Sequence, residues 1–300
     1  MIESTAIRYF RVVTECGSIK QAAAALRIAP SAISRQVQGL EDELAVKLFE
    51  RGARGMNLTD AGHVLYRYAI DNRNQLDGLR SQVEEFASLR RGQVKIATVE
   101  GMLSDFLPGV FVDLFQQYPG IALSVTAVGS RDVVELVGQN EVDLGLIFGR
   151  ANRRDLNELG RMRQPVCLIV SPKHPLAGQP SLGMKDLAGL RVILPDTSFG
   201  IRQELDKSCA QSGVQLEMCS EANSLAFTQT ITARTDLATF LPMVSAMASI
   251  NAGQLVAVPL RDKRLEATQV TLVQLAARMA SPSTRLVAEM LMARMKEFDD

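Results

Sequence analysis

The side chains that most often do chemistry are sparse in this sequence. Two histidines, His63 and His174, leave little material for a zinc site, and the four cysteines, Cys16, Cys167, Cys209 and Cys219, show no C-x-x-C spacing. The phosphate-cradling G-x-x-x-x-G-K-[ST] and G-x-G-x-x-G, the nucleophile turn G-x-S-x-G and the metal motif H-E-x-x-H are all missing. No catalysis, metal or cofactor is expected. What the residues do offer is recognition. Ile33, Val37, Leu40 and Leu44 fall on one face of a helix, and at about 100° per residue the opposite face presents Ser31, Arg35, Gln38 and Asp42, with Ser34 on its flank. Serine, arginine and glutamine suit phosphate oxygens and base edges in a major groove. Glu41, Asp42 and Glu43 make the far end acidic, which points to the N-terminal half as the contact end.

The flanking elements must hold that helix in place. Ser18 followed by Gln21 is a capping box that opens a preceding helix, and Ala22 to Ala25 let a second helix approach closely. Pro30 suits the first turn of the second helix, so two short helices meet across a tight turn. Arg51 and Arg54 beside Gly52 and Gly55 then read as a wing reaching toward phosphates or a minor groove. The chain of 300 residues has zero formal net charge, 47% hydrophobic and 22% charged residues. That composition is ordinary for a folded protein, and contact with an anionic polymer has to come from a local patch.

The run "GSIKQAAAALRIAPSAISRQVQGLEDELAVKLFERGARGMNLTDAG" resembles the N-terminal winged helix-turn-helix of the LysR-type transcriptional regulators. The match covers the alanine pair, Leu26, Ser34, Leu40, Glu41, Leu48, Phe49, Arg51, Leu58, Thr59 and Gly62. The resemblance implies a regulator that reads an interrupted inverted repeat in double-stranded DNA, as dimers within tetramers, and meets RNA polymerase at the promoter. It implies DNA contacts from Ser31, Ser34, Arg35, Gln38, Arg51 and Arg54. Two positions depart from the family pattern: Ala29 stands where a base-contacting glutamine is common, and Ala45 where glycine is usual.

Leu65, Ala69, Asn72, Leu76, Leu79, Val83 and Phe86 repeat in alternating steps of four and three, the period of a coiled-coil seam. A linker helix over about 61–90 that dimerises through this seam is expected, with a winged helix-turn-helix over 1–60 before it. "RRGQ" at 90–93 marks the boundary. Short aliphatic strands then alternate with amphipathic helices, the rhythm of βαβ units and a parallel sheet. Two lobes are expected in 91–300, lobe I over about 91–162 and 267–300 and lobe II over about 163–266.

An open α/β sheet binds ligands beyond the carboxyl ends of its strands, which selects the loops after Val99, Val128, Phe148 and Pro195. This architecture is similar to the family's effector domain, itself resembling periplasmic binding proteins, and implies a small-molecule effector in the cleft. Carried over by position, the effector residues are Glu100, Gly101, Met102, Ser104, Ser130, Phe148, Thr197 and Ser198. Gly101 stands where several aromatic-acid responders place a carboxylate-binding serine. Glu100 repels a carboxylate unless Arg131, Arg150 or Arg202 pairs it, so it either receives a donor group or favours a helix N-terminus. Thr235, Asp236 and Leu237 replace a usual Gly-x-Gly turn.

The alternative within the class is a thiol-based redox sensor. Cys209 lies near where peroxide-sensing relatives carry one cysteine, but the partner position holds Gly200 or Ile201. "MIESTAIRYFRVV" is too charged for a secretory signal, and no apolar run approaches the roughly 20 residues of a membrane span, so a cytoplasmic protein without membrane contact is expected.

Overall fold

The computed structural model describes residues 4–52, 55–85 and 92–299, and the chain divides between residues 87 and 88 into two compact units. The first holds α1 (Thr5–Cys16), α2 (Ile19–Leu26) and α3 (Pro30–Leu44), the antiparallel pair β1 (Phe49–Gly52) and β2 (Gly55–Leu58), and the long α4 (Asp60–Glu85). Ser18 Oγ accepts from the Gln21 amide at 3.2 Å to cap α2, and Pro30 opens α3. Ala22 and Ala23 are buried; Ala24 and Ala25 face solvent. Val12, Val13, Ala22, Ile33 and Val37 form one core cluster, and Phe10, Leu40 and Leu48 a second.

Leu44 departs from the expected inward stripe and is 46% exposed. The cause is the end of α3, where Ala45 takes the left-handed conformation at φ 54° and turns the chain away from the core. A side chain in that region costs about 1–2 kcal/mol. Ala45→Gly is therefore expected to stabilise this unit by about 0.5–1 kcal/mol, after allowing for glycine's greater freedom when unfolded. A raised denaturation midpoint at unchanged slope checks it.

Beyond Ala45 a knot of polar contacts joins three elements. The Glu41 carboxylate accepts from the Leu48 amide at 2.9 Å and from Lys47 Nζ at 2.6 Å. Burial pushes its pKa up, but the lysine and the amides outweigh that and hold it below the usual carboxylate range. The Thr59 amide donates to the Leu48 carbonyl at 3.1 Å, while Thr59 Oγ1 donates to the Lys47 carbonyl at 2.7 Å and accepts from the Gly62 amide at 3.0 Å. The end of α3, the root of the hairpin and the start of α4 are thus fixed together.

At 26 residues α4 is about 39 Å long. Its expected seam is only partly available to a partner, because Leu65 packs against the Phe10–Leu40–Leu48 cluster and Ala69 is 1% exposed. Its open apolar flank is Val64, Tyr68 and Leu79. Phe86, the last seam position, and residues 90 and 91 of the expected boundary lie outside the described residues.

The second unit has two lobes. Lobe I carries β3 (Gly92–Thr98), α5 (Phe106–Gln117), β4 (Ile121–Ala127), α6 (Ser130–Gly138), β5 (Leu144–Phe148) and β6 (Leu156–Arg163). Lobe II follows with β7 (Val166–Val170), β8 (Leu182–Gly183), β9 (Arg191–Pro195), α7 (Gly200–Ser212), β10 (Glu217–Ala222), α8 (Leu225–Arg234), β11 (Thr239–Pro242), α9 (Met243–Asn251), β12 (Val256–Arg261) and α10 (Lys263–Glu266). The chain then returns to lobe I with β13 (Gln269–Leu275) and α11 (Pro282–Glu297).

Strand order in lobe I is β4-β3-β5-β13-β6, with β3 parallel to both neighbours but β13 antiparallel to β5 and β6. Lobe II orders its main sheet β11-β7-β12-β8, where β7 is antiparallel to both neighbours, and pairs β9 with β10 in parallel. The expected parallel sheet is therefore corrected to mixed sheets, since alternation of apolar residues carries no information on strand direction. It does fix the faces. Ile96, Leu146 and Leu272 join the cluster under α5 and α11, while their neighbours Ala97, Ile147 and Val273 pack beneath α6.

The chain crosses between lobes at Gln164 and near Thr268, and these crossings are tied to each other. The Gln164 amide donates to the Thr268 carbonyl at 2.9 Å, and Thr268 Oγ1 returns a bond to the Gln164 carbonyl at 2.6 Å. Where the usual Gly-x-Gly turn is replaced, Thr235 Oγ1 accepts from the Leu237 amide at 3.2 Å, so a side chain builds the turn without any left-handed residue.

Candidate functional site

On α3 the residues chosen for DNA contact lie together. Ser31, Ser34, Arg35 and Gln38 are exposed, opposite buried Ile33, Val37 and Leu40. Gln38 Nε2 donates to Asp42 Oδ1 at 2.7 Å, which turns its amide toward the acidic end. Arg35 makes no ion pair among the described residues. Ala29 caps the helix without a side-chain bond, and Pro30 has no N–H, so the Ser31 amide is the first donor this end presents. Arg51 lies in β1, paired with Met56; Arg54 lies outside the described residues.

A cavity of about 280 Å³ opens between the two lobes of the second unit. It gathers Glu100, Gly101, Met102, Ser130, Phe148 and Ser198, and four further walls come from Ile201, Leu225, Pro242 and Ser245. Of the expected effector residues, Ser104 and Thr197 are not among its lining. Ser104 Oγ instead donates to the Ser245 carbonyl at 3.2 Å across the lobes, and the Thr197 carbonyl accepts from Gln203 Nε2 at 3.1 Å. Ser130 Oγ accepts from the Phe148 amide at 3.0 Å and donates to its carbonyl at 3.3 Å, so α6 is anchored to the end of β5. Ser198 Oγ is bound to Asp196 at 2.5 Å.

Glu100 has a partner that sequence reading did not find. Its Oε1 accepts from the Leu225 amide at 2.9 Å, the Ala226 amide at 3.4 Å and Ser224 Oγ at 3.2 Å. A lobe I carboxylate therefore caps α8 of lobe II, where the helix dipole favours negative charge. None of the three expected arginines pairs it: Arg202 is held by Asp206 at 2.9 Å and Glu221 at 3.0 Å, and Arg131 and Arg150 are exposed. Beside Glu100, a methyl group on Gly101 would overlap Ser245 Oγ, so the hydroxyl of lobe II fills the space a side chain at position 101 needs. Gly200 likewise lets α7 approach Phe148, whose Cδ1 lies 3.1 Å from where a Cβ would stand. Pro242 ends β11 and Ser245 lies in the first turn of α9, and the packing of the lobes brings both to the cleft.

Cys167 and Cys209 pack in the core of lobe II, whereas Cys219 is exposed. Burial pushes Cys167 up to about 11, and Cys209, late in α7, is also raised, first by burial and then by Asp206 and Asp262. The thiolate is the reactive form. At pH 7.5 alkylation with iodoacetamide is therefore expected to mark exposed Cys219 well before Cys209 and Cys167, read by peptide mass spectrometry. Among the described residues no cluster of His, Cys, Asp and Glu could hold a metal ion, and no helix is long and apolar enough to cross a membrane.

This combination, a helix-turn-helix head and a two-lobed domain with a cleft, defines a ligand-responsive DNA-binding regulator. Residues 4–63 match the bacterial regulatory helix-turn-helix protein, lysR family, and residues 87–296 match the LysR substrate binding domain. The chain belongs to the LysR family of transcriptional regulators. It is 28% identical over 207 residues to the RuBisCO operon transcriptional regulator of Allochromatium vinosum, covering 69% of this chain and 68% of that one. Its fold is similar to full-length OxyR from Pseudomonas aeruginosa, with a TM-score of 0.75 at 18% identity, covering 98% and 95% of the two chains. It is also similar to CbnR complexed with its target DNA, with a TM-score of 0.65 at 18% identity, covering 97% and 98%.

Proposed function

We propose that the N-terminal half of α3 reads an interrupted inverted repeat, with Ser31, Ser34, Arg35 and Gln38 at the groove and Arg51 and Arg54 of the wing on the flanking backbone. The observation that carries this is the exposed polar face of α3 set against a buried aliphatic one. The Ser31 amide at a helix start without a side-chain cap suits a phosphate. Arg35→Ala is expected to weaken binding to a site selected from a random DNA library by about 1–3 kcal/mol while leaving binding to random DNA nearly unchanged. Equal losses on both would make Arg35 a phosphate anchor instead.

The cavity between the lobes is the effector site in this reading, with Glu100, Gly101, Met102, Ser130, Phe148 and Ser198 on its walls. Its volume lies just below the range common for ligand pockets, roughly 300 to 1,000 Å³. An effector there bridges the lobes and biases how they close about the tied crossings at Gln164 and Thr268. Two copies pair through α4, using the flank of Val64, Tyr68 and Leu79, and pairs assemble into tetramers that meet RNA polymerase at the promoter. The protein works in the cytoplasm by binding alone, without catalysis or a cofactor.

A further inference from the structure

We propose that the cavity takes a small amino acid with an apolar side chain, its ammonium group held by Glu100; this rests on the cavity being the effector site. Glu100 is the one ionisable side chain among the lining residues, and neither lysine nor arginine lines the cavity. Its Oε1 is taken by the start of α8, whereas Oε2 accepts no hydrogen bond from the described residues. A carboxylate oxygen on the wall of a largely apolar cavity attracts a cation and repels an anion far more strongly than in water. A ligand whose charge is only negative meets this repulsion with no fixed cation to offset it.

The rest of the lining supplies what the other parts of an amino acid need. The amides of Ser130, Gly200 and Ile201, in the first turns of α6 and α7, have no acceptor among the described residues and line the same cavity. They are suited to the ligand's carboxylate, at a different part of the wall from Glu100. Met102, Phe148, Ile201 and Val270 offer an apolar surface to the side chain. The volume admits a molecule of the size of leucine or methionine.

The test uses the full-length chain and three matched probe series, followed by calorimetry and thermal shift. The first is L-valine, L-leucine, L-methionine and L-phenylalanine; the second is the corresponding amines lacking the carboxylate; the third is the corresponding acids lacking the amino group. At least one amino acid is expected to bind and raise the melting temperature, with its deaminated acid roughly ten- to a hundredfold weaker, the effect of one charge-assisted contact. Glu100→Gln keeps an oxygen for the α8 amides and is expected to weaken the amino acid by the same factor, with the unliganded melting temperature reporting that the lobes still join. The comparison on the wild-type chain stands without the variant. An acid that binds as well as its amino acid overturns the ligand class, and so does a panel in which nothing binds. If a metabolite of another class then stabilises the wild type but not a cavity-filling Val128→Trp chain, the effector cavity survives and the amino-acid class alone has failed.

Discussion

Gly62→Ala is expected to destabilise the N-terminal unit by about 3 kcal/mol, the upper range for overpacking, although it adds a single methyl group to a helix. The methyl would overlap the Leu48 carbonyl oxygen and lie 2.9 Å from Leu58 Cδ2. That carbonyl cannot give way cheaply, because it accepts from the Thr59 amide at 3.1 Å and its residue is fully buried. Relief requires α4 to lift from the root of the hairpin, which breaks the Thr59 cap and opens the Phe10–Leu40–Leu48 cluster. The protein has no tryptophan, and three of its four tyrosines, Tyr9, Tyr66 and Tyr68, lie in this unit, so tyrosine fluorescence during denaturation follows it selectively. Alanine normally favours helix over glycine by about 1 kcal/mol; a variant as stable as the wild type would show that the close approach at Leu48 does not exist.

Gly101→Ala is expected to lower the stability of the second unit by about 2 kcal/mol, because the new methyl meets a hydroxyl from the other lobe. Ser245 is 2% exposed and cannot swing into solvent, so the added volume acts as a wedge beside the Glu100 cap. The origin of the loss is distinguishable by a double-mutant cycle. Ser245→Ala removes the overlapping oxygen and leaves its Cβ at 3.2 Å, so the double variant is expected to recover most of the deficit, a coupling of about 1 kcal/mol or more. Calorimetry on the four chains gives the answer, and simple additivity would place the strain elsewhere. Binding of any effector is expected to weaken in the single variant, since the same wedge holds the cleft apart.

Local rules carried the reading of the head: the Ser18 cap on the Gln21 amide, the buried Ala22 and Ala23, and Pro30 each act within one turn of chain and appear in the structure, whereas Ala24 and Ala25 of the expected small patch face solvent. Where the reading failed, the deciding partner lay far away or the signal lacked direction. Leu44 keeps the helical period of the stripe, but a period does not record that the helix stops at Ala45. Leu65 and Ala69 satisfy a coiled-coil spacing and are nevertheless covered within their own unit. For Glu100 a helix N-terminus was among the expectations, but that it belongs to α8, with its cap residue Ser224 124 positions away, is recorded by no pattern near position 100. Six of the eight expected effector residues line one cavity. Glu100, Gly101, Met102, Ser130 and Phe148 end or follow the neighbouring strands β3, β4 and β5, and Ser198 follows β9 of the opposite lobe, as Pro242 ends β11. Strand ends thus bring them together, whereas Ser245 inside α9 follows no such rule.

The place of β13 between β5 and β6 sets an order of completion during synthesis. The head and then lobe II, continuous from Val166 to Arg261, leave the ribosome with all their strands, while the sheet of lobe I stays divided until Gln269–Leu275 emerges. Domains generally fold as they are made, so a finished DNA-reading head precedes a finished sensor in every newborn copy. A chain that ends before that strand is expected to carry a complete head beside an incomplete lobe I.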